Sequence, residues 1–484
     1  MATSQTSKSA KVRSRLDHPV IDADGHIVEL TPVYIDYIRD VAGNDIAQRY
    51  TQPRDRKFYS PHHRGLGVTS TAERRENWIP IGGWGAPHST LDRATAMAPK
   101  LLNARLEELG MDFVILYPSQ GLGAAGIGDD ELRRAACRAY NTYAADLVRD
   151  YPTTMAPVAA IPMHTPQEAV EELEYAVNVL GFRAAVFQGS IRRPIESFRR
   201  EHPELADMVA RLELFALDSD YDYDPVWAKC VELRVPAGFH SMVQAFGTDS
   251  ITNYSFNHIG LLANSHAAVC KALFLGGVTR RFPEMRFAFL EGGVSWACNM
   301  YSDLIGHWEK RGAAVLSGLD PNNLDREQMV RLLTDYGDDR TRGKVEQLQE
   351  FFNRPSARPE ELDDFAASGI ERAEDIRDRF IPSFYFGCEA DDPMSATAYN
   401  RNANPMGATI RTIFGSDIGH WDVPVMNKVV AEAYELVEKG AITEEDFRDF
   451  IFVNPVRLHA GMNPDFFKGT AVQAEADKLV KAGL

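Results

Sequence analysis

The run "VIDADGHIVE", residues 20–29, joins an apolar strand end to three groups able to bind a proton or a metal. Val20 and Ile21 read as the close of a buried β-strand, and Asp22, Asp24 and His26 follow on alternate positions. Alternate residues of a strand share one face. Seven further apolar runs follow: 112–118 (DFVILYP), 155–162 (MAPVAAIP), 182–189 (FRAAVFQG), 234–241 (RVPAGFHS), 286–293 (RFAFLEGG), 383–389 (SFYFGCE) and 409–417 (TIRTIFGSD). Most are continuously apolar, which is the signature of parallel strands covered on both faces. Helical stretches lie between them, as at 129–151 and at 165–181, where Thr165 offers an N-cap, Pro166 the first turn and Gly181 a stop. Eight strands with intervening helices are what a (β/α)8 TIM barrel requires. A doubly wound open sheet fits less well, because no glycine-rich phosphate loop follows the first strand.

Two connections exceed a simple βα loop. Residues 25–111 contain the Trp-, Gly- and Pro-rich run "ERRENWIPIGGWGAPHSTLDRA" and read as an irregular cover at the barrel mouth, ending in a helix. Residues 313–381, between strands six and seven, are charged and helical: a solvated decoration, with a lid or subunit contact as the functional reading. The basic, hydroxyl-rich residues 1–17 read as a disordered tail without the apolar core of a secretory signal. Residues 18–484 are then one barrel domain carrying both insertions. The formal net charge of −17 argues against a nucleic-acid or anionic-membrane partner, since phosphate binding needs a basic footprint. No apolar run reaches the ~18–20 residues of a membrane span. Five cysteines without a CxxC pair fit a reducing cytoplasm.

Active sites of such barrels form at the C-terminal ends of the strands. Strand one ends in Asp22, Asp24 and His26, strand five in His240, strand six in Glu291, strand seven in Glu389 and strand eight in Asp417. One histidine after an apolar strand is ordinarily core, and one aspartate ordinarily a cap. Carboxylates and histidines at five strand ends together form the donor set of a divalent metal. Asp22, a step deeper than Asp24 and His26, is expected to brace them.

"IDADGHIVE", "GFHS", "GGVTRRFPEMRFAFLEGGVSW", "FGSDIGHWDVP" and "FVNPVRLHAG", in this order, resemble the amidohydrolase superfamily. The closest resemblance is to its second family, which includes the metal-dependent decarboxylase of aminocarboxymuconate semialdehyde. The resemblance spans roughly residues 18–315 and 380–468, and it implies a distorted barrel and relatives that are often dimers. It also implies metal ligation by His26 and His240, and by Asp417, which in the family also handles the proton of the attacking water. Two positions depart from the family: Asp24 stands where the first histidine of a His-x-His pair is expected, and Glu291 where many relatives carry histidine. Zinc is the usual ion. Three carboxylates beside His26 and His240 leave a negative site, however, so either one carboxylate stands back or two ions share the set. Oxygen-rich coordination also suits iron or manganese.

His266, on the helical pattern after strand five, could complete a second metal site or help to stabilise an oxyanion; an ordinary helix-face histidine is equally open. His258 and His420 are weaker candidates, and His420 could instead hydrogen-bond Asp417. Trp78, Trp84 and Trp296 are candidate pocket walls. The expected chemistry is hydrolysis of a carbonyl-type bond (amide, ester, thioester or carbon–carbon) in a small molecule by a metal-activated water, with Asp417 moving the proton. The alternatives are non-oxidative decarboxylation of an aromatic or enoic acid, which needs a cation for the substrate carboxylate, and a non-catalytic binding barrel.

Overall fold

The computed structural model describes residues 6–52, 70–78, 80–81, 89–240, 249–352 and 362–483. All eight expected runs form strands: β1 (Ile21–Ile27), β2 (Phe113–Pro118), β3 (Met155–Ile161), β4 (Ala184–Phe187), β5 (Ala237–Phe239), β6 (Phe287–Phe289), β7 (Phe384–Glu389) and β8 (Thr412–Gly415). They pair in parallel in chain order, with helices between them. The seam between β8 and β1 carries two backbone bonds: Asp417 N–H donates to the Asp24 carbonyl (2.9 Å) and His26 N–H to the Ile418 carbonyl (3.0 Å). The result is a nearly closed (β/α)8 barrel.

The apolar sequence of these strands follows from burial on both faces. Rings of β5, β6 and β7 stack in register, Phe239 on Phe289 (5.5 Å) and Phe289 on Phe386 (5.8 Å). Helices cover them with Trp227, Trp296 and Phe380. The helix Pro166–Asn178 starts with the capping box of Thr165 and Glu168 and ends ahead of Gly181, at φ +78°. A short antiparallel pair, Ile191–Pro194 with Ala210–Glu213, stands outside the barrel after β4.

The expected disordered tail is corrected over residues 6–17. Lys8–Arg13 is a helix capped by Ser7, with Ser9 and Val12 buried. Arg13 Nε reaches Asp112 Oδ2 at 2.6 Å. Gly110 permits the docking: its φ is +75°, and a Cβ there would lie 2.7 Å from the Ser9 carbonyl oxygen. Two buried residues, Ser9 and Val12, and one half-buried ion pair outweighed a composition that looked unstructured.

The expected cover ends in a helix as read, its Trp-, Gly- and Pro-rich centre at 82–88 lies outside the described residues, and much of the rest is helical rather than irregular. Among the described residues of the β1–β2 connection, helices span Thr31–Thr51, Thr71–Asn77, Thr90–Met97 and Pro99–Leu109. The first packs beside the barrel, where Tyr34 Oη donates to the Ala136 carbonyl at 2.8 Å. Between β6 and β7, helices include Arg326–Tyr336 and Val345–Phe352, and every one of residues 313–350 is exposed or half-exposed.

His459, on the closing helix Asn454–Ala460, stacks on Phe466 at 4.3 Å with neither ring nitrogen hydrogen-bonded. Burial lowers its pKa from 6.5 to about 3. The folded chain therefore keeps it neutral while the unfolded chain protonates it below about 6.5, so stability falls as pH drops from about 6.5 towards 3. His459→Phe should flatten the fall of Tm between neutral and mildly acidic pH. An unchanged slope in thermal unfolding would remove His459 as a contributor.

Candidate metal centre at the barrel mouth

The end of β1 is irregular. Pairing with β2 shifts by one residue between Asp22 and Gly25, the kind of bulge that re-aims side chains beside active sites. Gly25 is required there, because a Cβ would lie 2.7 Å from Asp22 Oδ2 and 2.8 Å from Val114 Cγ1. Asp22 acts as the expected brace. Its Oδ1 accepts from the backbone N–H of Asp24 (3.2 Å) and Ser416 (2.9 Å), and its Oδ2 from Ser416 Oγ (2.5 Å). Burial raises the Asp22 pKa to about 7 against the pull of these bonds.

Six side chains converge above this brace. His26 Nδ1 lies 3.1 Å from the Pro118 carbonyl, which only accepts, so Nδ1 carries a proton and Nε2 faces the mouth. His26 Nε2 lies 3.2 Å from His240 Nε2, 3.2 Å from Glu291 Oε1, 3.5 Å from Asp24 Oδ1 and 3.3 Å from Asp417 Oδ1. His240 Nε2 lies 3.0 Å from Glu291 Oε1. His420 Nδ1 lies 2.6 Å from Asp417 Oδ1 and 3.4 Å from Glu291 Oε1, and its Nε2 meets Ser119 Oγ at 3.1 Å. Glu29 fixes that contact by accepting from the N–H groups of Ser119, Gln120 and Gly121.

Two overlapping donor groups result: Asp24, His26, His240 and Glu291, and His26, Glu291, Asp417 and His420. Donor atoms ~2.0–2.2 Å from a tetrahedral ion stand roughly 3.4 Å apart, close to the spacings found. Asp24 Oδ1 and both Asp417 oxygens are buried without a properly directed hydrogen bond, although imidazole nitrogens approach them closely. These side chains crowd their donor atoms onto one small volume, and the residues fit a divalent ion. Both Glu291 (φ 55°) and Asp417 (φ 49°) hold left-handed backbone, costly for such residues and common at functional sites.

The groups shift one another strongly. Burial lowers the affinity of His26 for its proton, but Asp24 and Glu291 outweigh it and raise the pKa to about 10. Burial would raise Glu291, yet His240, His26 and His420 hold it well below the carboxylate range. Asp417 is pushed well up by burial, then by Glu291 and Asp422. Burial, then His26, lowers His420 to about 3. A divalent cation reverses the sign of this field for the acids.

Asp24, His26, His240, Glu291 and Asp417 are thus brought together as expected. His266 is not: it lies on the helix Leu261–Leu275, its ring 5.6 Å from that of Phe289, outside both donor groups. Gly292 lets it approach the end of β6, since a Cβ there would lie 2.9 Å from its Nδ1. Burial, then His240, lowers its pKa to about 3. Glu389 closes β7, and Trp296 packs on the rings of β6 and β7. Trp78 is exposed, and Trp84 lies outside the described residues. His420 was underweighted; its position three residues after Asp417 in "GSDIGH" was the available signal. Nothing in the sequence distinguished Glu29, Ser119 or Ser416.

A family model described as amidohydrolase matches residues 21–341, more than half of the chain, and the chain belongs to that family. It is an enzyme of the amidohydrolase superfamily. Over 191 residues it is 26% identical to 2-keto-4-carboxy-3-hexenedioate hydratase of a Sphingobium species, a match covering 39% of this chain and 49% of that protein. The chain therefore spans about half the length of this curated relative. An amidohydrolase from Mycobacterium avium subsp. paratuberculosis superposes with a TM-score of 0.49 at 16% identity, covering 92% of this chain and 99% of that one. A dihydroxybenzoic acid decarboxylase from a Polaromonas species, solved with bound manganese and 2-nitroresorcinol, gives 0.48 at 15% identity over 91% and 97%.

The brace is testable apart from turnover. Ser416→Ala leaves Asp22 Oδ2 buried without its hydroxyl donor, and metal affinity in calorimetric titration should fall by about 10–100-fold. Unchanged affinity would show that Asp24 and His26 need no such support.

Proposed function

We propose that the protein is a metal-dependent hydrolase acting on a carbonyl-type bond of a small organic molecule. The observation that carries this reading is the 3.2 Å approach of His26 Nε2 to His240 Nε2, in a space shared with Glu291 Oε1 and the buried carboxylates of Asp24 and Asp417. Asp24, His26, His240 and Glu291 would hold one divalent ion, with Asp417 and His420 facing it from β8. Both donor groups use the same His26 nitrogen, and one imidazole lone pair serves one ion, so a single ion is favoured over two. Two imidazoles with two or three carboxylates suit manganese or iron as well as zinc.

When bound, the ion lowers the pKa of a coordinated water from about 15.7 towards about 7. Asp417 accepts the proton of the attacking water and returns it to the leaving group. His420, held by Ser119, orients the Asp417 carboxylate, and the buried mouth excludes competing bulk water. The hydratase relative points to a second use of the same activated water, addition across a carbon–carbon double bond. Decarboxylation is less well supported, because the leading charge neighbours of Asp417 and Glu389 are acids. Five unpaired cysteines support a reducing, cytoplasmic setting. A homodimer through the helical insert is our reading of Leu332 and Tyr336, which are 47% and 85% exposed, and sedimentation of the purified chain tests it.

Asp417→Asn should lower turnover of the best substrate in an amide, ester and lactone panel by about two to four orders of magnitude while metal content persists. His240→Ala should lose metal and turnover together. Full turnover by the Asn variant would exclude Asp417 as the proton acceptor.

A further inference from the structure

Arginines drawn into the body of the chain are matched with acids. Arg133 lies 2.9 Å from Glu168, Arg193 2.6 Å from Glu213, Arg138 2.8 Å from Glu172 and Arg105 2.7 Å from Asp92. The chain holds 69 acidic residues against 52 lysines and arginines, so acidic partners are in excess. Two arginines at the floor of the barrel, the end opposite the candidate metal centre, depart from this pattern. Arg286 immediately precedes β6 and Arg411 immediately precedes β8. Among the described residues neither forms an ion pair with a carboxylate.

Strand register brings the two together. Phe287 of β6 pairs with Phe384 of β7, and Thr412 of β8 pairs with Phe386 of β7. Tyr385, fully buried, lies between those two phenylalanines in sequence and has an arginine on either side. Arg411 Nη1 donates to Tyr385 Oη and to the Pro382 carbonyl (3.3 Å), with its guanidinium carbon 5.2 Å from the centre of the Tyr385 ring. Arg286 Nη1 donates to the carbonyls of Pro283 (3.0 Å) and Met285 (3.0 Å), and Tyr385 is its hydrogen-bonding neighbour as well. Each guanidinium carries five N–H donors, and the oxygens these two meet are all uncharged. Both residues are half-buried, and Glu284, the acid in the surroundings of Arg286, is exposed. Burial above all, and the charge of Arg411 with it, lower the pKa of Arg286 against the pull of Tyr385 and Glu284. Capping of backbone carbonyls accounts for one nitrogen of each arginine. It does not account for two cations converging on one phenol. A guanidinium keeps its proton in water, so an anion, and not proton loss, is what relieves their repulsion.

We propose that Arg286 and Arg411, set on either side of Tyr385, form a binding site at the barrel floor for inorganic phosphate. Two fixed positive charges match a dianion, and two guanidinium forks meet a tetrahedral oxyanion from two sides, where a monocarboxylate answers only one. The floor of such a barrel ordinarily serves stability. Phosphate held there acts as a stabilising ligand that ties the starts of β6 and β8 to β7, and it is independent of the metal centre at the mouth.

Calorimetric titration of the full chain with inorganic phosphate tests this, with acetate at equal ionic strength as the comparator, on both metal-loaded and chelator-treated protein. Phosphate should bind at least about tenfold more tightly than acetate in both states and should raise Tm. Arg286→Gln and Arg411→Gln should each weaken phosphate binding about tenfold or more. A second measurement needs no substitution: on the native chain, saturating phosphate should slow phenylglyoxal modification of Arg286 and Arg411 at least about fivefold, read by peptide mass spectrometry. The exposed Arg331 should gain no protection. Phosphate binding no better than acetate, or binding that disappears with the metal, would overturn the proposal. So would affinity indifferent to both substitutions in chains that fold, or modification of Arg286 and Arg411 at the same rate with and without phosphate.

Discussion

The closure of β8 onto β1 is the constraint on which the site depends. Asp22 lies fully buried at this seam, and Ser416 supplies it with both a backbone and a hydroxyl donor. The bonds from Asp417 N–H to Asp24 and from His26 N–H to Ile418 continue the seam up to the mouth. Residues almost four hundred positions apart thereby share one small volume. The candidate donors Asp24, His26, His240, Glu291 and Asp417 are thus set at or just beyond strand ends, which is how precise donor geometry is maintained.

This arrangement has a cost in stability. Buried carboxylates and histidines are packed at spacings of about 3 Å, and Glu291 and Asp417 adopt left-handed backbone. Burying charge without full compensation is unfavourable, and strain of this kind persists only where the surroundings enforce it. A bound cation relieves much of the cost, so metal binding and fold stability should be coupled. Buried acids on outer helices, such as Glu168 beside Arg133 and Asp92 beside Arg105, are paired with arginine instead. The mouth departs from this pattern, and that contrast marks the mouth as the working end.

The barrel was legible because both faces of each strand are buried, which leaves continuous apolar runs that end abruptly in polar groups. The donor set was legible for the same reason: Asp24, His26, His240, Glu291 and Asp417 stand at the strand ends. His266 could not be placed, because a helix position after β5 does not state its distance from the mouth. Glu29 and Ser416 escaped notice as ordinary residues whose importance lies in backbone contacts made across the fold. The tail over residues 6–17 was misjudged from composition, since a few buried contacts, such as Val12 on the N-terminal helix, are enough to order a polar segment.

The most direct test of a single shared centre is electron paramagnetic resonance of the manganese-loaded chain, combined with metal analysis. One ion per chain with the spectrum of isolated Mn(II), lost in a His26→Ala variant, is the expected result. An exchange-coupled pair of ions, or no binding at all, would contradict a centre built on the one shared nitrogen of His26.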